Sequence, residues 1–282
     1  MANDAAKLAV WGDPIAHSRS PQLHSAAYAV LGLPWTYQRQ RVGAEDFPDA
    51  LAALDSSWRG LSLTMPLKAV ARDAAVRVDA RAQLTGAVNT LLLAENGPIG
   101  YNTDVGGIIG ALAGAGVDQL SRARLIGAGA TASSALVALA EMGASTVEVS
   151  ARRPEAIAAL ADLGDRAGVQ VISIGWDAAP RDDVPVTIST LPGNATVSAN
   201  IAATLAQSGG LLMDAVYGQW PTTLGYSWFA AKKQAISGLG MLLHQALLQV
   251  RVFVAGSADQ PLDRESEVLT AMREQLVSEP AL

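Results

Sequence analysis

Lys68 is one of only four lysines in the chain, against sixteen arginines, and it stands in the uncharged setting Thr64-Met65-Pro66-Leu67-Lys68-Ala69-Val70. A lysine in such surroundings either lays its stem along apolar surface with the ammonium in water, or is partly buried and takes a carboxylate partner or a lowered pKa. The second condition suits a proton-transfer group. Asp104, at the end of Gly100-Tyr101-Asn102-Thr103-Asp104, is the candidate partner; it equally suits the N-cap of a helix from Val105 onward. Asn89 interrupts an otherwise apolar stretch, and a buried asparagine must be hydrogen-bonded by backbone or by ligand. Ser18 and Ser20 flank Arg19 just before Pro21 and offer two hydroxyls to an anion. By local rules, however, Ser20 before proline reads as a helix cap. His24, in the first turns of the same helix, reads as structural.

A second constellation is Leu125-Ile126-Gly127-Ala128-Gly129-Ala130-Thr131-Ala132, a strand, a Gly-x-Gly-x-x-Ala turn and a helix start. Gly127 permits the tight turn, Gly129 lets a pyrophosphate approach the backbone, and Ala132 lets the helix pack close to the strand. The helix N-terminus then offers N–H groups to phosphates. The strand–turn–helix context makes this a dinucleotide signature rather than a chance glycine run. An acidic residue about 20 positions on would hold the ribose 2′-OH of NAD. Glu148 has that spacing but lies inside the next strand, whose end reads Ser150-Ala151-Arg152-Arg153. Two guanidiniums there suit the 2′-phosphate of NADP; the alternative is a solvated charged turn.

These residues need elements to hold them. Lys7–Gly12, Trp35–Val42 and Gly60–Thr64 read as strands, Pro21–Leu31 and Ala44–Leu54 as helices, and Pro66 suits the first turn of another helix. Ala87–Leu93 and Ile99–Asn102 flank Asn96-Gly97, a hairpin signal. From Asp104 the rhythm changes. Val105–Ala113, Ala130–Glu141 and Pro154–Leu163 read as helices. They alternate with strands at Arg124–Ile126, Thr146–Ser150, Val169–Ile174, Pro185–Ser189 and Leu211–Asp214, the pattern of a doubly wound parallel sheet. Met241–Val254 and Arg264–Val277 read as closing helices. The predicted fold class is α/β: a mixed α/β layer up to about Asp104, a Rossmann-type doubly wound parallel sheet after it, and two closing helices. No flexible linker joins them, so a helix is the expected joint.

Composition excludes other classes. Half of the 282 residues are apolar and 16% are charged, which rules out a disordered or coiled-coil chain. The net charge of −6 argues against nucleic acid, because a broad nucleic-acid surface normally needs a basic patch. With no cysteine and three histidines (His17, His24, His244), disulfides and thiolate chemistry are excluded and no metal site is expected. The start MANDAAKLAV does not read as a signal peptide. The longest charge-free run, Val184–Met213, is too polar and too broken to span a membrane. A cytoplasmic protein with no membrane partner is expected.

The segments taken together resemble the shikimate dehydrogenase family. Ser18-Arg19-Ser20-Pro21-Gln22-Leu23-His24, Leu63-Thr64-Met65-Pro66-Leu67-Lys68, Gly86-Ala87-Val88-Asn89-Thr90 and Asn102-Thr103-Asp104 come in family order. The Gly127 turn, Ala151-Arg152-Arg153 and Gly238-Leu239-Gly240-Met241-Leu242-Leu243-His244-Gln245 follow. The resemblance implies NADPH-dependent, reversible reduction of 3-dehydroshikimate to shikimate in aromatic amino-acid biosynthesis, by a monomer or homodimer. It also implies a substrate domain over residues 1–104 and 239–282, with a Rossmann-type NADP-binding domain over 105–238 between them. It implies that Ser18 and Ser20 bind the substrate carboxylate with Tyr217 nearby, that Thr64, Asn89, Asp104 and Gln245 bind ring hydroxyls, and that Lys68 and Asp104 form the catalytic pair. On the cofactor side it implies Gly127 through Ala132 (Gly127, Ala128, Gly129, Ala130, Thr131, Ala132), Ala151, Arg152, Arg153, Gly238 and Met241; Met241 also reads as plain helix core.

Three departures stand out. Ala130 replaces a glycine of the family's phosphate turn, Ala151-Arg152-Arg153 replaces Asn-Arg-Thr, and Ser189-Thr190-Leu191-Pro192-Gly193-Asn194 replaces an Asn-x-Thr-Pro-x-Gly-Met loop. Two rivals share the scaffold. An NAD-preferring quinate/shikimate dehydrogenase would carry an acid where Ala151 stands. A non-catalytic NADP-binding regulator would not need Lys68, Asp104, Asn89 and the paired serines.

Overall fold

A computed structural model describes residues 4–176, 178, 180 and 182–277. The chain divides into two compact units, one made of residues through Thr103 together with those from Leu242 onward, the other of Asp104–Met241. Asp104 and residues 239–241 fall in the second unit.

The first unit runs β1 (Ala6–Gly12), α1 (Ser20–Leu31), β2 (Trp35–Arg41), α2 (Phe47–Ala52), β3 (Trp58–Leu63), α3 (Lys68–Ala74), β4 (Arg77–Val78), α4 (Ala80–Thr85), β5 (Thr90–Ala94) and β6 (Gly97–Tyr101). Its sheet has the order β2-β1-β3-β5-β6-β4. β1 pairs in parallel with β2 and β3, whereas β5 is antiparallel to both β3 and β6. The Asn96-Gly97 hairpin forms as expected, with Gly97 at φ +106°. Both sheet faces are covered, and β1 shows why. Leu8 and Val10 join one core with Leu23, Tyr28, Val250 and Phe253, while Ala9 and Trp11 join the other with Phe47, Leu61, Leu67 and Leu91.

The second unit runs α5 (Asp104–Gly114), β7 (Arg122–Ile126), α6 (Ala130–Glu141), β8 (Thr146–Ser150), α7 (Pro154–Ala167), β9 (Gln170–Ile174), β10 (Val184–Ser189), α8 (Ala199–Ser208), β11 (Gly209–Asp214), α9 (Thr223–Ala230) and β12 (Ala235–Ile236). Its sheet is wholly parallel in the order β12-β11-β10-β7-β8-β9. Counted from β7 that order is 3-2-1-4-5-6, the dinucleotide-binding order, with the switch point between β7 and β10. α10 (Leu239–Ala255) and α11 (Glu265–Val277) close the chain, and the second boundary between units falls inside α10. Among the described residues no helix is long and apolar enough to cross a membrane.

Candidate active site

In the first unit, topology gathers the polar residues at one end of the sheet. β1 and β3 are parallel, β5 is antiparallel to β3, and β6 is antiparallel to β5. The loops after β1, β3 and β6 and the residue before β5 therefore lie at the same end. Those segments carry Ser18 and Ser20, Thr64 and Lys68, Asn102 and Thr103, and Asn89. In open α/β sheets this carboxyl end is where ligands bind.

The serine pair is built around α1. The helix starts at Ser20, with Arg19 in the cap position and no side chain accepting from the first turn. The cap reading of Ser20 therefore fails, because Ser20 is already helical and a capping serine must precede the helix in extended backbone. Instead the Ser18 hydroxyl accepts from the Ser20 N–H and donates to Ser20 Oγ, each at 3.3 Å. Both serines are buried. Arginines brace the segment: Arg39 Nε donates to Ser18 O at 2.7 Å, and Arg19 Nη2 to Gln275 O of α11 at 2.8 Å. Neither contact was legible in the sequence, since both partners are remote along the chain.

Thr64, Lys68 and Asn89 are brought together through the main chain. Leu63 N–H donates to Asn89 O at 2.8 Å, and Val88 N–H donates to Lys68 O at 3.0 Å. A tight turn closed by Leu67 N–H to Thr64 O (2.8 Å) precedes α3, so the helix begins at Lys68 and Pro66 lies in the turn before it. Lys68 is half-buried. The Asn89 side chain is 2% exposed and helps order this end of the sheet. Its Oδ1 accepts from Thr103 N–H and from the Thr90 hydroxyl, both at 2.9 Å, and its Nδ2 donates to Thr103 Oγ1 at 2.9 Å. Asn102 in turn donates to Thr85 Oγ1 and Ala87 O. Asp104 is buried and opens α5, immediately after Thr103. Gln245 is buried on α10 and donates to Leu242 O of its own helix at 3.0 Å.

His24 is structural, as expected. It is fully buried, stacked on Tyr37 at 4.0 Å between centroids, and set between Tyr28 Oη (3.0 Å) and Gln249 Oε1 (3.2 Å). Burial lowers its pKa to about 3, so the ring is neutral throughout the physiological range.

The second unit supplies a phosphate-binding turn. Gly127 adopts φ +109°, and a Cβ on it would come within 2.5 Å of Thr190 Oγ1. Glycine is required there on both counts. Thr190, whose N–H and hydroxyl both reach Ile126 O, is a packing partner that the motif does not reveal. Beside Gly129 a Cβ would meet nothing within 4 Å, and no side chain caps α6. Ala128 is half-buried, Thr131 half-buried, Ala132 buried and Ala130 exposed. Ala130 is the first helical residue of α6, so a methyl group sits there without strain. The turn thus fits a dinucleotide pyrophosphate: open space, a left-handed glycine and uncapped helix N–H groups.

At the end of β8, Ala151 is half-buried and Arg152 and Arg153 are exposed, with no ion pair to either guanidinium among the described residues. Glu148 is not available to a ribose: it is buried and accepts from Arg124 Nε and Nη2 at 3.1 and 2.9 Å. Tyr217, half-buried, follows β11 in a loop tied down from two sides. Asp214 accepts from Thr222 Oγ1 at 2.7 Å and from Val216 N–H at 3.3 Å, and burial raises its pKa. Gly238 N–H donates to Val216 O at 3.0 Å, so close that a Cβ on Gly238 would stand 2.1 Å from Ala215 O. Met241 is buried.

Comparison with known proteins gives a consistent picture. Residues 10–91 match the model of the shikimate dehydrogenase substrate-binding domain. A shikimate dehydrogenase (NADP(+)) of Methylobacterium radiotolerans is 37% identical over 263 residues, which span 84% of this chain and 87% of the relative. The crystal structure of Mycobacterium tuberculosis shikimate dehydrogenase superposes with a TM-score of 0.84 at 41% identity, covering 95% of this chain and 99% of that one. The shikimate 5-dehydrogenase of Thermus thermophilus, solved in complex with NADP(H) and shikimate, superposes at 0.79 with 29% identity, covering 96% and 99%.

Proposed function

We propose the residue roles by which this chain, which belongs to the shikimate dehydrogenase family, works as an NADP-dependent shikimate dehydrogenase, reversibly reducing 3-dehydroshikimate to shikimate. The observation that carries the assignment of roles is the convergence of Ser18, Ser20, Thr64, Lys68, Asn89 and Thr103 at one end of the first sheet. A small polar ring with a carboxylate needs that kind of surface: two hydroxyls for the anion, amide and hydroxyl groups for the ring, and a cation for the reacting oxygen.

Ser18 and Ser20 hold the substrate carboxylate, with Tyr217 beside it. Thr64, Asn89, Asp104 and Gln245 bind the ring hydroxyls. Bound NADPH supplies the hydride that reaches the ketone carbon. The Lys68 ammonium stabilises the charge developing on the ketone oxygen and delivers the proton there, and Asp104 orients it. The N–H groups of Gly127 through Ala132 take the pyrophosphate, Ala151 borders the adenosine, and Arg152 and Arg153 take the 2′-phosphate. Gly238 and Met241 border the nicotinamide. The reading divides the labour between residues 1–104 with 239–282 for substrate and 105–238 for NADP. It places the enzyme in the cytoplasm as a monomer or homodimer, acting on small soluble molecules.

The test is steady-state oxidation of shikimate and of quinate, each with NADP and with NAD. Turnover concentrated in the shikimate–NADP pair is expected. Preference for NAD or quinate would overturn the cofactor and substrate assignments, and NADP binding without turnover would point to a regulator. Arg152→Ala is expected to weaken NADP much more than NAD, because only NADP carries the phosphate that the guanidinium grips. Equal losses for both cofactors would remove Arg152 from the 2′-phosphate site.

A further inference from the structure

We infer that Gln249 is a positioning residue for the substrate site, setting the Asn89 segment from behind through two hydrogen bonds. Gln249 lies one helical turn beyond Gln245 on α10, yet it is 2% exposed and surrounded in sequence by the core residues Ala246, Leu247, Val250 and Phe253. A carboxamide buried on an apolar helix is unfavourable unless its hydrogen-bonding capacity is met. Here it is met in full. Oε1 accepts from Ser62 Oγ at 2.8 Å and from His24 Nε2 at 3.2 Å. Nε2 donates to Asn89 O at 3.2 Å and to Thr90 Oγ1 at 3.1 Å.

The backbone explains how α10 comes that close. Gly60 on β3 has no side chain where Phe253 lies; a Cβ there would stand 2.5 Å from Phe253 Cε1. Ser62 is two residues along on the same face of the strand, and Gln249 is four residues back on the same side of the helix as Phe253. One close approach therefore seats Phe253 on Gly60 and Gln249 on Ser62 together.

The consequence runs forward to the site. The Thr90 hydroxyl accepts from Gln249 and so has its own proton directed to Asn89 Oδ1, at 2.9 Å. That bond, with the Thr103 N–H bond to the same oxygen, decides which way the Asn89 amide faces. Gln249 also fixes the His24 tautomer. His24 must carry its proton on Nε2 to donate to Gln249 Oε1, leaving Nδ1 to accept from Tyr28. Gln249 thus joins α1, β3, the start of β5 and α10 at one point without itself being a substrate contact.

The inference rests on the reading of Asn89 as a substrate contact, and the test separates the two. Gln249→Met keeps the volume and removes all four bonds. It is expected to raise KM for shikimate ~10-fold or more, the scale of a displaced binding group, and to leave the affinity for NADP unchanged. The deciding measurement is the double-mutant cycle with Asn89→Ala in kcat/KM. If Gln249 acts through Asn89, the double variant is scarcely worse than Asn89→Ala alone. Should Gln249→Met fail to fold, Thr90→Val removes only the relaying hydroxyl and enters the same cycle. Losses that multiply in the double variant would overturn the inference while leaving Asn89 as a contact. A fully active Asn89→Ala would overturn the Asn89 reading and this inference with it.

Discussion

Replacing Lys68 with alanine is expected to lower kcat by ~10²-fold or more, the contribution typical of one general acid. The expectation follows from the chemistry of reducing a ketone. As the carbonyl carbon accepts hydride, negative charge builds on the oxygen, and that oxygen must end protonated. A cation aimed at the oxygen lowers the barrier only to the extent that it interacts more strongly with the alkoxide than with the ketone. The loss should therefore appear in kcat more than in KM for shikimate. Lys68→Arg separates the two parts of the role. Arginine keeps the positive charge but does not give up a proton near neutrality. Because we assign proton delivery to Lys68, the arginine variant is expected to be nearly as slow as the alanine variant. A Lys68→Ala enzyme with near-normal kcat would remove Lys68 from the mechanism, and a fast Lys68→Arg enzyme would reduce its role to electrostatics.

Much of this arrangement was legible because it is local. α6 and β8 fall on the residues expected from sequence, since a glycine turn and a run of β-branched residues mark them without help from tertiary structure. Elements with little local signal were missed. β4 has two residues and α4 six, too few for any periodicity. α8 and α9 lie in stretches with no charge to mark a polar face, although their caps were present: Ser198 accepts from Ile201 N–H and Thr222 from Gly225 N–H. α2 is shorter than the predicted Ala44–Leu54 because Pro48 sits in its first turn and sets where it can begin.

The site divides in the same way. Lys68 and Asn89 are readable as anomalies of type in their own segments, whereas Ser18, Ser20 and Asp104 stand in polar stretches next to helix starts and take their candidate roles from the resemblance. Their supports are not readable. Arg39 holding Ser18, Thr190 under Gly127 and Gln249 behind Asn89 act across 21, 63 and 160 residues of chain, distances that only the folded register closes. Gln249 alone left a trace, a lone amide four residues after Gln245 in an apolar helix. That is the signal of a polar group that must find partners in the core.

Glu148 shows how a correct spacing misleads until register is known, and it carries the second large effect. At the usual distance beyond the glycine turn, it invites the role of ribose acceptor. Register decides otherwise: β7 and β8 pair in parallel with Arg124 opposite Glu148. Both side chains are almost fully buried, at 1% and 5% exposure, and the guanidinium also donates to Asp182 O at 2.9 Å and Leu205 O at 3.4 Å. Removing the carboxylate strands a cation in the interior of the sheet. Glu148→Ala is therefore expected to destabilise the protein by about 3–5 kcal/mol, the cost of breaking a buried pair. Replacing both residues with apolar side chains of similar volume, Arg124→Met with Glu148→Leu, is expected to recover most of that loss, because neither charge then needs solvation. Urea unfolding of the three proteins checks the ranking. The ratio of NADP to NAD activity in Glu148→Ala, assayed below its unfolding range, should match the parent, in contrast to Arg152→Ala. A Glu148→Ala protein of normal stability but altered cofactor preference would reverse the assignment and return Glu148 to the ribose.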